Sequence, residues 1–194
     1  MVKTPRCDWC GDDPLYVAYH DHEWGVPVRD PAALFERLML EGMQAGLSWY
    51  TVLKKRPRMR EQFFGFDARA IAEHGAEAIP HWLQDAGLIR HRGKLEALVG
   101  NARAYLSVQP EFSQFVWSFV GATPKQNRWR RLQQVPSQTA ESVAMSRSLR
   151  QAGFRFAGPT ICYAFMQNAG LVNDHLLSCH RYQPCHDAGS AWRL

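Results

Sequence analysis

Cysteine and histidine side chains collect at the two ends of this sequence, where they could together hold a metal ion. Near the start these are Cys7, Cys10 and His20, and near the end His175, Cys179, His180, Cys185 and His186. His175 and Cys179 are four residues apart and would share a helix face, so that two N-terminal ligands would complete a closed tetrahedral site of the kind that zinc prefers. A closed site is structural, because no position stays open for water. Since the spacing is not that of a zinc finger, a set of ordinary buried or surface residues is an equal alternative.

Glu41 lies on the apolar stripe of a predicted helix. At 100° per residue it shares that stripe with Leu34 and Leu38, and Trp49 would lie nearby if the helix continued past Gly46. Removing a carboxylate from water is costly, so a buried one is retained mainly where it handles a cationic or donor-rich ligand. A pocket carboxylate is therefore one interpretation of the pattern. The alternative is a glutamate at the edge of the stripe that reaches solvent or an arginine.

Aromatic side chains crowd the same part of the chain. The first quarter contains Trp9, Tyr16, Tyr19, Trp24, Trp49 and Tyr50. Aromatic faces stack on bases and attract cations, although most single Trp and Tyr residues simply pack in a core. Only in combination with Glu41 do these residues indicate a pocket.

The elements that must position these groups are predicted to be helical. Asp30 followed by Pro31 is a typical helix start, an N-cap residue before a proline at the first helical position, and Leu34, Phe35 and Leu38 follow at helical spacing. The same periodicity predicts helices over residues 68–73, 77–85, 94–106, 112–120, 142–152 and 161–168. Polar stretches at 121–126 and 135–139 are typical of surface connections. No run alternates as a strand does, so the predicted class is all-α.

Composition sets broad bounds on the function. With 194 residues, 46% of them hydrophobic, the chain can bury one core, and we treat it as a single unit over residues 1–194. The net charge of +5 is the direction expected for a protein that meets phosphate, but it is modest. No stretch approaches about 20 apolar residues, and residues 1–5 lack the pattern of a secretory signal, so we expect no membrane association and a cytoplasmic location. The odd count of five cysteines then favours metal ligation or burial over disulfides.

Four sequence blocks carry a resemblance to a known family. In chain order from Asp13 to His175 they are DPLYVAYHDHEWGVP, LEGMQAGLSWYTVLKKR, DAGLIRHRGK with NARAYL, and GFRFAGPTICYAFMQNAGLVNDH. They resemble successive blocks of bacterial 3-methyladenine DNA glycosylase I, a family of the helix-hairpin-helix glycosylase superfamily. The resemblance implies an all-α DNA glycosylase of two helical lobes with the base pocket between them. It also implies excision of 3-methyladenine from double-stranded DNA that contains alkylated adenine, and we expect a monomer.

The base pocket that the resemblance implies falls on Glu41 as the catalytic residue and on Tyr16, Tyr19 and Trp49 as substrate-binding residues. Alkylation at ring nitrogen 3 makes adenine cationic and a good leaving group. The flipped lesion would stack against Trp49 and Tyr16 and hydrogen-bond to Glu41, with Tyr19 shaping the pocket, before water attacks the sugar carbon. A carboxylate and ring faces both favour a charged base over neutral adenine.

The resemblance also implies one structural Zn²⁺ ion that joins the N-terminal and C-terminal segments. Its ligands would be Cys7, His20, His175 and Cys179. The other candidate ligands lie outside this set: Cys10, His180, Cys185 and His186.

Two segments are the implied DNA contacts. Gly46 and Leu47 correspond to the loop that fills the gap left by the flipped base. The hairpin corresponds to residues 156–160, where Gly158, Pro159 and Thr160 form a helix start whose amides could bind a phosphate, although Pro159 donates none. A plain Gly-Pro turn between helices is the alternative. Three further candidates for phosphate contact, with a solvated surface cluster as an equal alternative, are Arg90, Arg92 and Lys94.

Two positions bear on the mechanism that the resemblance implies. Bifunctional relatives carry a lysine nucleophile where this sequence has Thr160, so we expect no strand-cleaving lyase activity. Many relatives place a catalytic aspartate where this sequence has Asn173, with Asp174 beside it, so a catalytic role for either residue stays open. The alternative functions are a glycosylase of broader alkylpurine scope, a non-enzymatic protein that binds alkylation damage, and a zinc hydrolase, which would need an open metal position.

Overall fold

Helices form nearly all of the regular structure of this protein. A computed structural model describes residues 4–108 and 111–194, so most of the segment 1–5 interpreted above lies outside the described residues. The α-helices are α1 (Pro14–His22), α2 (Pro31–Gln44), α3 (Trp49–Gln62), α4 (Ala68–Trp82), α5 (Arg92–Ser107), α6 (Phe112–Ser118), α7 (Ala140–Gln151), α8 (Pro159–Asn168) and α9 (Tyr182–Ser190). The described strands are only two residues long, β1 (Lys125–Gln126) and β2 (Val172–Asn173), and they pair in parallel with Lys125 opposite Val172. The predicted all-α class is confirmed.

Helix α2 lies at the centre of the fold and packs against α3, α5, α6 and α8. It begins as predicted, because the side chain of Asp30 accepts a hydrogen bond of 2.7 Å from the amide of Ala33 and Pro31 follows the cap. The helix ends at Gln44, however, so Trp49 belongs to α3 rather than to a continuation past Gly46. Gly46 lies in the turn between the two helices with φ of +77°, a conformation that favours glycine. Trp49 therefore comes close to α2 through this turn.

Residues 68–73 and 77–85 do not form two helices, and that prediction was wrong. They form the single helix α4, which runs through Gly75. A Cβ atom at Gly75 would lie 2.8 Å from Cγ2 of Val99, so this glycine allows α4 and α5 to pack closely rather than ending the helix. Three helices carried no clear periodic signal and were not predicted: α1, α3 and α9.

Helix α8 and the residues that follow it contact the N-terminal segment of the chain. Helices α7 and α8 pack against each other and are joined by residues 152–158. After α8, Gly170 adopts φ of +71°, and a Cβ there would lie 2.4 Å from the backbone of Val26, so only glycine fits this approach. The amides of Gly25 and Val28 donate to the carbonyls of Gln167 and Ala169, at 3.0 and 3.1 Å. The N-terminal segment is thereby held along the end of α8.

None of the described helices combines the length and the apolar character that crossing a bilayer requires.

Candidate active site

A cavity of about 220 Å³ lies among α1, α2, α3 and α8. Its size is below the range of about 300–1,000 Å³ typical of pockets for drug-sized ligands, so it suits a small ligand. Its walls are mainly aromatic, formed by Trp9, Tyr16, Tyr19, Trp24 and Trp49. The polar side chains that line it are Glu41, Gln44, Gln167 and Asp174. The structure therefore brings together all four residues predicted for the base pocket.

The aromatic wall is built by rings from α1 and α3. The ring centroids of Tyr19 and Trp49 are 5.2 Å apart, and those of Tyr16 and Tyr19 are 6.5 Å apart with nearly parallel planes. Asp13 caps α1 by accepting from the amide of Tyr16 at 3.3 Å, and it also accepts from the hydroxyl of Tyr50 at 2.7 Å. Because Tyr50 is on α3, this aspartate holds the two helices that carry the aromatic wall.

Glu41 is the buried carboxyl group of the cavity, with only 2% of its surface exposed. Its Oε1 atom accepts a hydrogen bond of 2.8 Å from Nδ2 of Asn168, whereas its Oε2 atom is buried without a partner among the described residues. Burial raises the pKa of Glu41 to about 8, although the hydrogen bond from Asn168 and the charge of Arg37 oppose that rise. At neutral pH the carboxyl group is therefore mostly protonated until a cation reaches it.

Asn168 is oriented by Arg37, which lies one helical turn before Glu41 on α2. Nη1 of Arg37 donates to Oδ1 of Asn168 at 3.0 Å and also to its backbone carbonyl. The opposite orientation of the amide would place two donors face to face, so Nδ2 must point to Glu41. Neither Asn168 nor Arg37 was predicted as a functional residue, since Asn168 reaches Glu41 across 127 residues of chain.

Trp49 contributes a second polar atom without a partner. Its Nε1 group is buried and forms no hydrogen bond among the described residues. Among the described residues, the cavity lining thus contains a buried carboxyl oxygen, on Glu41, and a buried indole N–H, on Trp49, that have no hydrogen-bond partner. Because buried polar groups are nearly always hydrogen-bonded, such a pair points to a ligand that supplies both partners.

Asp174 also lines the cavity, but its carboxylate is fully occupied. Oδ1 accepts from Asn127 at 2.6 Å and from the indole of Trp129 at 2.8 Å. Oδ2 accepts from the hydroxyl of Tyr163 at 2.6 Å and from Gln167 at 2.8 Å. These four bonds leave no lone pair for water, and they fasten the segment after β1 to α8.

Asn173, the other open candidate, is held as firmly. Its side-chain amide donates to Gln126 at 2.9 Å and to the carbonyl of Tyr182 at 3.1 Å. Its oxygen accepts from the amide of His175 at 3.3 Å. The side chains of Asn173 and Asp174 therefore stabilise the packing around β1 and β2.

A buried cluster of Cys7, His20, His175 and Cys179 lies beside the cavity, and its ligand atoms are all within 4.8 Å of one another. Sγ of Cys179 is 3.5 Å from Nε2 of His20 and 3.5 Å from Nδ1 of His175, and Sγ of Cys7 is 3.6 Å from Nδ1 of His175. A tetrahedral ion with bonds of about 2.3 Å to sulfur and 2.0 Å to nitrogen separates such atoms by about 3.5 Å. The cluster could therefore hold a metal ion.

The atoms around this cluster support that interpretation. The second nitrogen of each ring is engaged: Nδ1 of His20 with Oδ1 of Asp21 at 2.7 Å, and Nε2 of His175 with the carbonyl of Trp24 at 3.0 Å. Such outer contacts orient metal-binding imidazoles. Hydrogen bonds to Cys179, first from Cys7 and then from His175 and His20, hold the pKa of its thiol below the usual value. A lowered pKa favours the thiolate, which is the form that binds metals.

The remaining cysteines and histidines near the two chain ends are not part of this cluster. Among the residues that the structure describes, the cluster is the one group able to hold a metal. Cys10 and Cys185 are buried free thiols, and His180 lies 3.5 Å from Asp21 instead.

Leu47 and Gly46 form the exposed turn between α2 and α3. Leu47 is 43% exposed, and it is followed by Ser48, whose Oγ caps α3 by accepting from the amide of Thr51 at 3.2 Å. Gln44, at the start of this turn, lines the cavity. An apolar side chain thus projects close to the cavity, on a turn that is fixed at both ends.

Lys94 is buried, so for this residue both alternatives, a phosphate contact and a solvated surface cluster, were wrong. It is only 5% exposed, and its Nζ donates to the carbonyls of Met43 and Ala45, at 2.8 and 2.6 Å. It therefore holds the C-terminal end of α2, directly before Gly46. Arg90 and Arg92 are exposed.

The N-terminus of α8 is the other predicted DNA contact. Gly158 is the N-cap and supplies no side-chain hydrogen bond, and Pro159 and Thr160 begin the helix. Nη2 of Arg150 lies 3.4 Å from where a Cβ of Gly158 would be, so a positive charge accompanies the free amides of the first turn. The arrangement suits an anion.

Comparisons with known proteins find relatives over nearly the whole chain. Residues 9–182 match the family model described as methyladenine glycosylase. The chain is 52% identical to DNA-3-methyladenine glycosylase 1 of Escherichia coli (strain K12) over 180 residues, which cover 91% of this chain and 96% of the relative. A crystal structure of 3-methyladenine DNA glycosylase I superposes with a TM-score of 0.89 at 50% identity, covering 91% of this chain and 98% of the other.

The fold and the sequence also match a structure of 3-methyladenine DNA glycosylase I from Staphylococcus aureus, which was solved to explain how that protein recognises 3-methyladenine. That structure has a TM-score of 0.87 at 37% identity and covers 90% of this chain and 95% of the other. With the family model spanning most of the chain and relatives at about half identity, the chain belongs to the methyladenine glycosylase family, that of bacterial 3-methyladenine DNA glycosylase I.

Proposed function

We propose that this protein is a DNA repair enzyme that hydrolyses the N-glycosidic bond of 3-methyladenine in alkylated DNA and releases the free base. The observation that carries the proposal is the carboxyl group of Glu41, buried in an aromatic cavity with one oxygen unpartnered among the described residues. Beside a neutral ligand the buried carboxyl group stays protonated, whereas a cationic base stabilises its ionised form and pairs with it.

The chemistry follows from the charge of the lesion. The base is flipped into the cavity and stacks against Trp49 and Tyr16, while Oε2 of Glu41 accepts a hydrogen bond from its edge and Tyr19 shapes the wall. Water adds to the sugar carbon as the glycosidic bond breaks. The bonding electrons leave with the base, which becomes neutral, and the proton of the water goes to solvent. Glu41 thus acts first as a selector for the charged purine.

Glu41→Gln tests this proposal, because it keeps the shape of the side chain and removes its negative charge. We expect the release of 3-methyladenine from methylated DNA, measured by chromatography in a single turnover, to fall at least about 100-fold. Glu36→Gln, on the same helix and outside the cavity, is the matched control and should release base at the normal rate. Near-normal release by Glu41→Gln would reject the role. Wild-type protein that binds methylated DNA but releases no base would support the non-enzymatic alternative.

We further propose that the metal in the cluster of Cys7, His20, His175 and Cys179 is a single structural zinc ion. Two thiolates and two imidazoles form a donor set that zinc favours, and four protein ligands leave no position for water. When bound, the ion cross-links the N-terminal segment to the segment after α8. Elemental analysis should give one zinc per chain, and chelation should lower the unfolding temperature.

The remaining proposals concern the DNA. Leu47, with Gly46, would fill the gap in the duplex, and the start of α8 at Gly158, Pro159 and Thr160 would bind a phosphate as the hairpin of a helix-hairpin-helix element. With Thr160 in place of a lysine, the enzyme is proposed to be monofunctional. We propose a single unit of two helical lobes that works as a monomer on double-stranded DNA in the cytoplasm.

A further inference from the structure

The segment between β1 and α7 forms one rim of the cavity and carries three arginines. We call residues 127–135 the arginine loop. Leu132 and Val135 line the cavity, and Leu132 is 40% exposed. Arg128, Arg130 and Arg131 are exposed, and in the part of the chain that the structure describes none of them forms an ion pair with a carboxylate. Three cations therefore remain available for a ligand next to the cavity opening.

The loop is held in place by hydrogen bonds at several points. The indole of Trp129 donates to the buried carboxylate of Asp174 at 2.8 Å, and the carbonyl of Trp129 accepts from the amide of Leu177 at 2.9 Å. Oε1 of Gln134 accepts from the amides of Arg130 and Arg131, at 2.8 and 2.9 Å. Because the backbone is already ordered, a ligand on the loop loses little affinity to ordering it.

Another part of the cavity lining has the opposite charge next to it. Trp9 and Tyr16 line the cavity, and the exposed carboxylates of Asp8, Asp12 and Asp13 lie beside them in the chain. A polyanion that approaches the cavity is therefore repelled near Asp8, Asp12 and Asp13 and attracted at the arginine loop. The charge next to the cavity is therefore unevenly distributed, positive at the arginine loop and negative near Asp8, Asp12 and Asp13.

We propose that the arginine loop binds the DNA phosphates that flank the nucleotide whose base occupies the cavity. This inference rests on the proposed function. A flipped base remains joined to its strand, so its sugar and the neighbouring phosphates must stay at the rim while the base enters. The guanidinium fork matches a phosphate group in shape and charge. The loop is a DNA contact in addition to Leu47 and the start of α8.

The test compares two variants with the same change in net charge. In the loop variant, Arg130→Gln is combined with Arg131→Gln, the two arginines next to Leu132. In the control, Arg69→Gln is combined with Arg103→Gln, which lie at the N-terminal end of α4 and in the last turns of α5, away from the cavity. Binding to a duplex that contains a tetrahydrofuran abasic-site analogue is measured by fluorescence anisotropy at several salt concentrations.

Each lost phosphate contact lowers the slope of log K against log salt by about 0.9. We expect the slope of the loop variant to fall by about 2 in magnitude, and its affinity at 0.1 M salt to fall on the order of 50-fold. The control variant should keep the wild-type slope. A loop variant with the wild-type slope would overturn the proposal.

Binding of free 3-methyladenine, followed by tryptophan fluorescence, separates a DNA contact from a structural role. The loop variant should bind the free base as the wild type does, because the cavity lining is unchanged. Loss of free-base binding would mean that the arginines support the cavity itself, which also overturns the proposal. Wild-type protein that releases no base from methylated DNA would refute the proposed function, and the difference in salt slopes would still decide whether the loop binds DNA.

Discussion

Two buried groups of polar side chains adjoin each other in this protein, and they differ in how far their hydrogen bonds are completed. In the Cys/His cluster that could hold a metal ion, the outer nitrogens of His20 and His175 are engaged by Asp21 and by the carbonyl of Trp24. In the cavity, Glu41 and Trp49 each keep a buried polar atom without a partner among the described residues. An unsatisfied buried group destabilises a fold by about 1–3 kcal/mol. The cluster therefore has the hydrogen bonding of a structural element, whereas the cavity has that of a site for a ligand.

The largest expected effect is a loss of stability on mutation of the Cys/His cluster. Cys179→Ser removes a ligand of the proposed zinc site, and we expect the free energy of unfolding to fall on the order of 5 kcal/mol, as large losses commonly accompany the loss of a metal. Thermal unfolding with and without a chelator measures this. Cys10→Ser, a buried thiol outside the cluster, is the control and should lose stability on chelation as the wild type does, whereas Cys179→Ser should be insensitive to the chelator. If the wild-type protein unfolded at the same temperature with and without chelator, no metal would stabilise the cluster. The proposed contrast between the cluster and the cavity would then be wrong.

The next effect is a pH dependence that only the cavity should show. The pKa of Glu41 is about 8 in the folded protein, through burial, and lies near 4.3 in an unfolded chain. The folded state therefore binds more protons than the unfolded state between these values, and its stability falls as pH rises through that window. Glu41→Gln abolishes this penalty. Its stability relative to wild type should rise by an amount on the order of a few kcal/mol from pH 4 to pH 8.

Chemical denaturation at several pH values measures that difference. Glu36→Gln, outside the cavity, should follow the wild-type curve. A constant difference between Glu41→Gln and wild type across this range would show that the carboxyl group is solvated, which contradicts the account of the cavity.

A smaller effect is expected from the residue that positions Glu41. Asn168→Ala removes the donor to Oε1 and leaves the carboxylate without a protein partner among the described residues. We expect affinity for free 3-methyladenine to fall about 30-fold, near 2 kcal/mol, because a hydrogen bond to a charged group is lost. The pH at which the base binds half-maximally should also rise.

Asn101→Ala is the matched control for Asn168→Ala. Asn101 is also buried and hydrogen-bonded, to the carbonyl and amide of Arg155 at 3.0 and 2.8 Å, but it does not line the cavity. The Asn101→Ala variant should lose stability and keep its affinity for free 3-methyladenine. Equal losses of affinity in the two variants would mean that Asn168 acts only through general packing.

The smallest effect is expected at Lys94. Lys94→Met fills a similar volume but no longer binds the carbonyls of Met43 and Ala45. The turn that carries Leu47 should become less ordered, and we expect base release from DNA to slow about tenfold, or 1.4 kcal/mol. Affinity for free 3-methyladenine should be unchanged. If base release and affinity for free 3-methyladenine fell equally, Lys94 would support the cavity rather than the turn that carries Leu47.

Some of these features were open to prediction from sequence because they depend on local periodicity. The burial of Glu41 follows from its position on the stripe with Leu34 and Leu38. The start of α2 follows from Asp30 and Pro31. The roles proposed for Glu41, Tyr16, Tyr19 and Trp49 came from the resemblance and are still predictions.

Other features depend on contacts that are distant in sequence. Residues 68–73 and 77–85 were predicted as separate helices, yet Gly75 lies within one helix, where its lack of a side chain allows packing against Val99. Lys94 looked like a surface cation because no local signal shows that the end of α2 accepts its hydrogen bonds. Asn168 stands among apolar residues of α8, and only the packing of α8 on α2 brings it to Glu41.

The cluster of Cys7, His20, His175 and Cys179 also bears on the order of events during synthesis. Cys179 follows His20 by 159 residues, so at translation rates of about 5–20 residues per second the second pair of ligands appears roughly 8–32 s after the first. Until then the N-terminal ligands have no counterpart, and the walls that α1 gives to the cavity cannot be fixed. The nascent chain therefore completes the cavity only after residue 179 has been made. A ribosome-bound chain halted before residue 175 should be digested at its N-terminal segment by protease, whereas the released chain should resist.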